Sequence, residues 1–193
     1  MATLKLDAEN PRELLEYVQG ESGQPVEKCY QCGKCTAGCT VAFAFDLMPH
    51  QIMHMIRLGL REEILRAQSI WLCTTCVICT ARCPQNIDVA AVMETLRTLA
   101  RRQKALPTGK ARPVALFNRL FLDSIRKHGR LFELATMVLF NLKSGHLFRE
   151  AETGWFMWRK GKLKLTPTRP RGTEEIERIF ARLQEVEGEE DRR

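Results

Sequence analysis

Eight cysteines carry the chemistry of this 193-residue chain, and all of them lie between Cys29 and Cys83. Cys29-x2-Cys32-x2-Cys35-x3-Cys39 recurs, spacing for spacing, as Cys73-x2-Cys76-x2-Cys79-x3-Cys83. A [4Fe–4S] cube needs four thiolates, one per iron. A tightly coiled loop with Cys at every third position can place three sulfurs on three corners of one cube. The fourth Cys, three residues further on, points away and can serve a second cube if another such loop lies alongside.

In the bacterial two-cluster run, the fourth Cys ligates the other cluster. The same logic assigns Cys29, Cys32, Cys35 and Cys83 to cluster 1, and Cys73, Cys76, Cys79 and Cys39 to cluster 2. The second run ends in Cys83-Pro84, as such runs usually do. The first ends in Cys39-Thr40, a departure that removes no ligand. Gly33, Gly38, Thr74, Thr75 and Thr80 are small enough for close backbone approach. Val41, Phe43, Phe45, Trp71, Val77 and Ile78 are expected to shield the clusters from water. Zinc sites use paired Cys-x-x-Cys units without a third Cys in step. Disulfides are rare in a reducing compartment, and a thioredoxin-like pair lacks its βαβ context. His50 and His54 would share a helix face, without the Glu of a zinc peptidase, and read as surface or packing residues.

The elements that must position these residues read as helices. Asn10, Pro11 and Glu13 form a helix start, Leu14, Leu15 and Val18 its apolar face, and Gly20 its expected stop. Pro49 opens a helix through Ile52, Met53 and Ile56, capped at Gly59. Arg61 to Gln68 reads as a third. Asp88 caps a helix carrying Val89, Val92, Met93, Leu96 and Leu99 at helical spacing. Residues 113–127 and 131–142 read as two more, separated by Gly129. Residues 166–172 read as a linker. Thr173 caps a last helix with Ile176, Ile179, Phe180 and Leu183 inside, fraying from Glu187. The pattern predicts a mainly α fold in three parts: an N-terminal helix and loop over 1–25, a two-cluster domain over 26–106, and a basic helical extension over 107–193.

Charge is uneven. Residues 101–173 hold 17 Lys/Arg against 4 Asp/Glu, residues 1–100 hold 9 against 11, and residues 174–193 hold 4 against 8. Such a block suits an acidic partner protein, with an anionic membrane surface or nucleic acid as other binders and a solvated helical surface as the plain alternative. No nucleic-acid motif accompanies it, so no nucleic-acid partner is expected. Trp155 and Trp158, followed by Arg159, Lys160, Lys162 and Lys164, form a candidate docking element. No run approaches the roughly 20 apolar residues of a membrane span. The start has no secretory pattern, so a cytoplasmic location is expected. No nucleotide or flavin motif is visible and every Cys is used, which predicts electron carriage without a catalytic residue or a direct small-molecule substrate.

Residues 29–39 and Trp71 to Pro84 resemble the α-helical ferredoxin domain. More narrowly, the chain resembles the C-type (HdrC-like) subunit family of heterodisulfide reductases. Residues 121–130 and 167–176 are similar to that family's C-terminal part. The resemblance implies an electron-transfer protein standing between a flavin and iron–sulfur A-type subunit and a disulfide-reducing B-type subunit. Arg126, Lys127 and Arg130 would then belong to a docking surface for one of these two. The rival reading is the iron–sulfur relay of a membrane-bound quinone-linked dehydrogenase. Its succinate type would carry an upstream plant-type Cys motif, and its glycerol-3-phosphate type Cys-Cys motifs; neither is present.

Overall fold

Helices joined by turns and irregular loops make up the described chain, with no strand among the described residues. The computed structural model describes residues 12–105, 107–145, 151–162, 166–167 and 170–190. It divides into two compact units at Arg112/Pro113.

The first unit holds α1 (Glu13–Ser22), α2 (Lys34–Ala37), α3 (Pro49–Arg57), α4 (Arg61–Arg66), α5 (Ser69–Leu72), α6 (Ile78–Ala81) and α7 (Val89–Arg102). α7 is its axis and packs against α1, α4, α5 and α6. Val89, Val92, Met93, Leu96, Leu99 and Ala100 recur at three- and four-residue steps, so they share one face, and all six are buried. They meet Leu14 and Val18 of α1, Ile52, Met53 and Ile56 of α3, and Ile64 and Leu65 of α4 in one core. Burying each such aliphatic side chain contributes about 1.5–3 kcal/mol. As expected, Asp88 caps α7: its carboxylate accepts the Ala91 N–H at 3.0 Å. It also accepts the Thr80 hydroxyl at 2.7 Å, which ties the cap to α6.

Two expected boundaries differ. α1 runs past Gly20 and ends at Gly23, whose φ of 66° places its N–H on the Gln19 carbonyl. The expected cap at Asn10 and Pro11 lies outside the described residues. The single helix expected over 61–68 is broken at Ala67, which is extended, and α5 begins a new turn. The cause is Asp46, 23 residues earlier than Ser69. Its carboxylate accepts N–H bonds from Gln68 at 2.7 Å and Ser69 at 3.0 Å, and the Ser69 hydroxyl. The loop that follows the first cysteines is thereby stapled to the turn that enters the second.

Both cysteine loops use the same backbone coil. Two and four residues after the leading Cys, φ is positive: 62° at Gln31 and 73° at Gly33, then 52° at Thr75 and 64° at Val77. A left-handed residue followed by a helical one, as at Gly33–Lys34 and Val77–Ile78, turns successive N–H groups to one side, the arrangement that forms anion-binding nests. Only one of the four is glycine. Val77 is β-branched, and a left-handed φ costs an L-residue about 1–2 kcal/mol.

The second unit holds α8 (Ala111–His128), α9 (Glu133–Ser144), α10 (Ala151–Arg159) and α11 (Thr173–Glu190), with α8 beginning at the division. The expected helices over 113–127 and 131–142 are present, with Gly129 left-handed between them. α10, which carries Trp155 and Trp158, was not expected as a helix. α11 continues to Glu190, beyond the expected fraying point at Glu187.

Two outcomes follow for the cluster-loaded protein. An added Cβ on Gly33 meets no atom within 4 Å, so Gly33→Ala is strained by backbone conformation alone. It should cost about 1–2 kcal/mol, read as an earlier denaturant midpoint for loss of the visible chromophore. Burial works to raise the pKa of Asp46, but the Ser69 hydroxyl and the N–H groups of Gln68, Ser69 and Leu47 outweigh it and hold the carboxyl below its usual range. Asp46→Asn should therefore cost about 2 kcal/mol at neutral pH. A depressed folded-state pKa contributes stability above the unfolded value and loses it as pH falls through the folded one. The gap between variant and wild type should hold down to about pH 4 and narrow below it.

Candidate metal centres

All eight thiols are free. Cys35 is buried, Cys32 and Cys76 are exposed, and the other five are half-buried. Cys29, Cys32 and Cys35 of the first loop line one pocket, and Cys83 of the second loop completes its sulfur lining. Gln31, His50, Met53, Ile87 and Val89 form the rest of the wall with Gly33. Around the second loop, the Cys73 thiol lies within electrostatic reach of Cys39 and Cys76. Cys79 lies within reach of Cys73, and also of Cys35 in the first set. Cys83 thus stands in the pocket of the first loop, Cys39 lies near Cys73, and the two sets are neighbours.

The two loops meet at matching positions. α2 packs against α6, the same position of each repeat meeting its counterpart. Gly38 precedes Cys39 as Arg82 precedes Cys83, and a Cβ on Gly38 would collide with the Arg82 side chain. Gly38 thus sits against the Arg82 side chain. Gly33 has no such neighbour; its requirement is the left-handed φ.

Four thiols around a partly apolar pocket, with the His50 Nδ1 beside them already paired to Thr36, fit a cubane, which takes one thiolate per corner. Among the described residues, no three His, Cys, Asp or Glu side chains converge as they would on a single metal ion. Burial pushes the Cys35, Cys73 and Cys79 thiols up, opposed at Cys35 by the Thr36 hydroxyl and N–H and at Cys79 by those of Thr80. Cys76 is pulled down, first by the Ile78 N–H and then, against burial, by the Thr74 and Thr40 hydroxyls. Metal must displace the protons of the buried thiols, since thiolates are the ligating form. Amide and side-chain donors to sulfur stabilise a cluster's reduced form. One such donor escapes a reading of the sequence: Gln31 Nε2 donates to Cys29 Sγ at 3.3 Å.

Of the expected shields, Phe45 is buried and Val41, Trp71 and Ile78 are half-buried. Phe43 and Val77 do not shield. Phe43 is 87% exposed on the short turn Ala42–Ala44, and Val77 is 46% exposed because its left-handed φ turns it out of the loop. His50 and His54 part company: His54 is exposed, while His50 pairs through Nδ1 with Thr36 Oγ1 at 2.7 Å. Arg126, Lys127 and Arg130 are exposed at the end of α8, with Arg130 paired to Glu133 at 3.5 Å. Trp155 and Trp158 are exposed on α10, their rings 5.1 Å apart. Lys164 lies outside the described residues. Among the described residues no helix is long and apolar enough to cross a membrane.

Residues 25–87 match the family model described as a 4Fe-4S dicluster domain. The chain is 35% identical over 106 residues to the C-type iron–sulfur subunit of the CoB–CoM heterodisulfide reductase of Methanopyrus kandleri, over 54% of this chain and 55% of the relative. It is 33% identical over 107 residues to the corresponding second C-type iron–sulfur subunit of Methanocaldococcus jannaschii, over 52% and 57%. It is 33% identical over 89 residues to the C-type subunit of the H2:CoB–CoM heterodisulfide,ferredoxin reductase of Methanothermobacter marburgensis, over 46% and 48%. The chain spans about half the length of the curated relatives it matches. Residues 25–87 thus match a 4Fe–4S dicluster domain, implying two [4Fe–4S] clusters, and about half of the chain is similar to the C-type subunits of heterodisulfide reductases.

Proposed function

We propose that this chain is the electron-transfer subunit of a heterodisulfide reductase-like complex. Cys29, Cys32, Cys35 and Cys83 hold one cluster, and Cys73, Cys76, Cys79 and Cys39 hold the other. The observation that carries this reading is Cys83 in the wall of the pocket formed by the first loop. When bound, each cluster supplies a site that accepts and releases one electron. Met53, Ile87 and Val89 keep water from one side of the first pocket. Cys32 and Cys76 bring the ligand shell of each set to the surface, where a partner's redox centre can approach.

The relatives' names place them as C-type subunits of heterodisulfide reductases. The same position here puts the chain between a flavin and iron–sulfur A-type subunit and a disulfide-reducing B-type subunit, in the cytoplasm. Residues 26–106 serve as the cluster domain and 107–193 as the docking extension. Arg126, Lys127 and Arg130 supply positive charge to an acidic partner surface, and the exposed Trp155 and Trp158 supply aromatic area. Such rim charges act mostly on the rate of encounter and its salt dependence.

Anaerobic affinity capture from the native cell, with mass spectrometry and flavin analysis, tests the assignment. The expected companions are a flavin-containing iron–sulfur protein and a protein with Cys-Cys motifs. Capture of a membrane cytochrome or a quinone-linked dehydrogenase instead contradicts it. Reversing charge together at Arg126, Lys127 and Arg130 should weaken capture by about tenfold or more at low salt while iron content is unchanged. Intact assembly in that variant removes these residues from the docking surface.

A further inference from the structure

The leading cysteines of the two repeats, Cys29 and Cys73, each have their main-chain carbonyl held by an arginine. The two arginines are not equivalent. Arg57 Nη1 donates to the Cys29 oxygen at 3.0 Å from an exposed position. Arg97 reaches across from α7. Its Nη2 donates to the Cys73 oxygen at 2.7 Å and its Nε to the Ile70 oxygen at 2.8 Å. These carbonyls lie at the C-terminal end of α5, where carbonyls lack helical partners, so a guanidinium fits there. The Arg97 side chain is 13% exposed, while its counter-charge Glu94, at 2.7 Å, is 44% exposed. The positive charge therefore sits within the protein beside the second loop, and its partner is partly screened by water.

We propose that Arg97 raises the reduction potential of the cluster held by Cys73, Cys76, Cys79 and Cys39 above that of its neighbour, so that a single electron entering the pair rests there. The inference depends on the ligand sets given under Proposed function. One electron is added, from a one-electron reductant such as dithionite or a partner's iron–sulfur centre, and no bond forms or breaks. Reduction adds one negative charge. A fixed positive charge in a poorly screened position stabilises that state over the oxidised one. Arg57 holds the matching carbonyl in the first loop from water, where its field is weakened.

The test is an EPR-monitored redox titration of the full cluster-loaded chain, with iron counted on the same samples. Arg97→Gln should lower the higher of the two one-electron steps by at least tenfold in its equilibrium, about 59 mV. Glu94→Gln, which leaves Arg97 less neutralised, should raise that same step. The lower step should stay in place in both variants, and Arg57→Gln should move neither step as far. A clamp with no electrostatic role would not give opposite shifts for Arg97 and Glu94. Movement of the lower step, equal movement of both, or no movement overturns the proposal. If Arg97→Gln does not retain its clusters, Glu94→Gln decides: a rise in the higher step supports the proposal, and a fall or no change overturns it. A wild-type chain holding about four irons, not about eight, overturns the ligand sets and this proposal with them.

Discussion

Four thiolates around one small volume repel one another and lose solvation, and two such sets side by side double the difficulty. Metal can compensate only if the sulfurs are already close to their corners. Here two coiled loops meet at matching positions, α2 on α6, with Gly38 beside the Arg82 side chain. A side chain at position 38 would have to displace the Arg82 side chain. Beside it, Cys83 of the second loop stands in the pocket of the first. The rest of the first unit maintains this contact.

The supports come from outside the loops. Asp46 binds the chain that leaves the first loop to the turn that enters the second. Asp88 caps α7 and accepts the hydroxyl of Thr80, the residue after Cys79. Gln24, ahead of the first loop, accepts the Asp88 N–H at 2.8 Å, so the loops share one polar network. α7 carries the core on one face and Arg97 toward α5. A helix that anchors the fold therefore also brings a charge to one loop and not to the other. Sequence symmetry between the repeats coexists with electrostatic asymmetry around them.

The Cys spacing was legible because it is local: three residues per step is a property of the covalent chain. α7 was legible for the same reason, through its apolar period and the Asp cap. The coil of the loops was not, because Gln31, Thr75 and Val77 adopt a conformation their side chains disfavour, and only Gly33 advertised it. The break before α5 was invisible because the carboxylate that makes it lies 22 residues before Gln68. Phe43 and Val77 looked like shielding by type, but the turn geometry at each sends the side chain to solvent. Arg97 could be read only as a charged residue beside the apolar face of a helix; its reach to two carbonyls needs the tertiary fold.

Ligand exchange between the loops is tested most directly by isolating one set. Replacing Cys29, Cys32 and Cys35 together by Ala should leave about four irons per chain, held by the second loop. In that background, interleaved ligands predict that Cys39→Ala destroys or degrades the remaining cluster, seen by iron count and EPR, while Cys83→Ala leaves it intact. The opposite result, with Cys83 required and Cys39 dispensable, would mean that each loop keeps its own fourth cysteine and would contradict the interleaved arrangement.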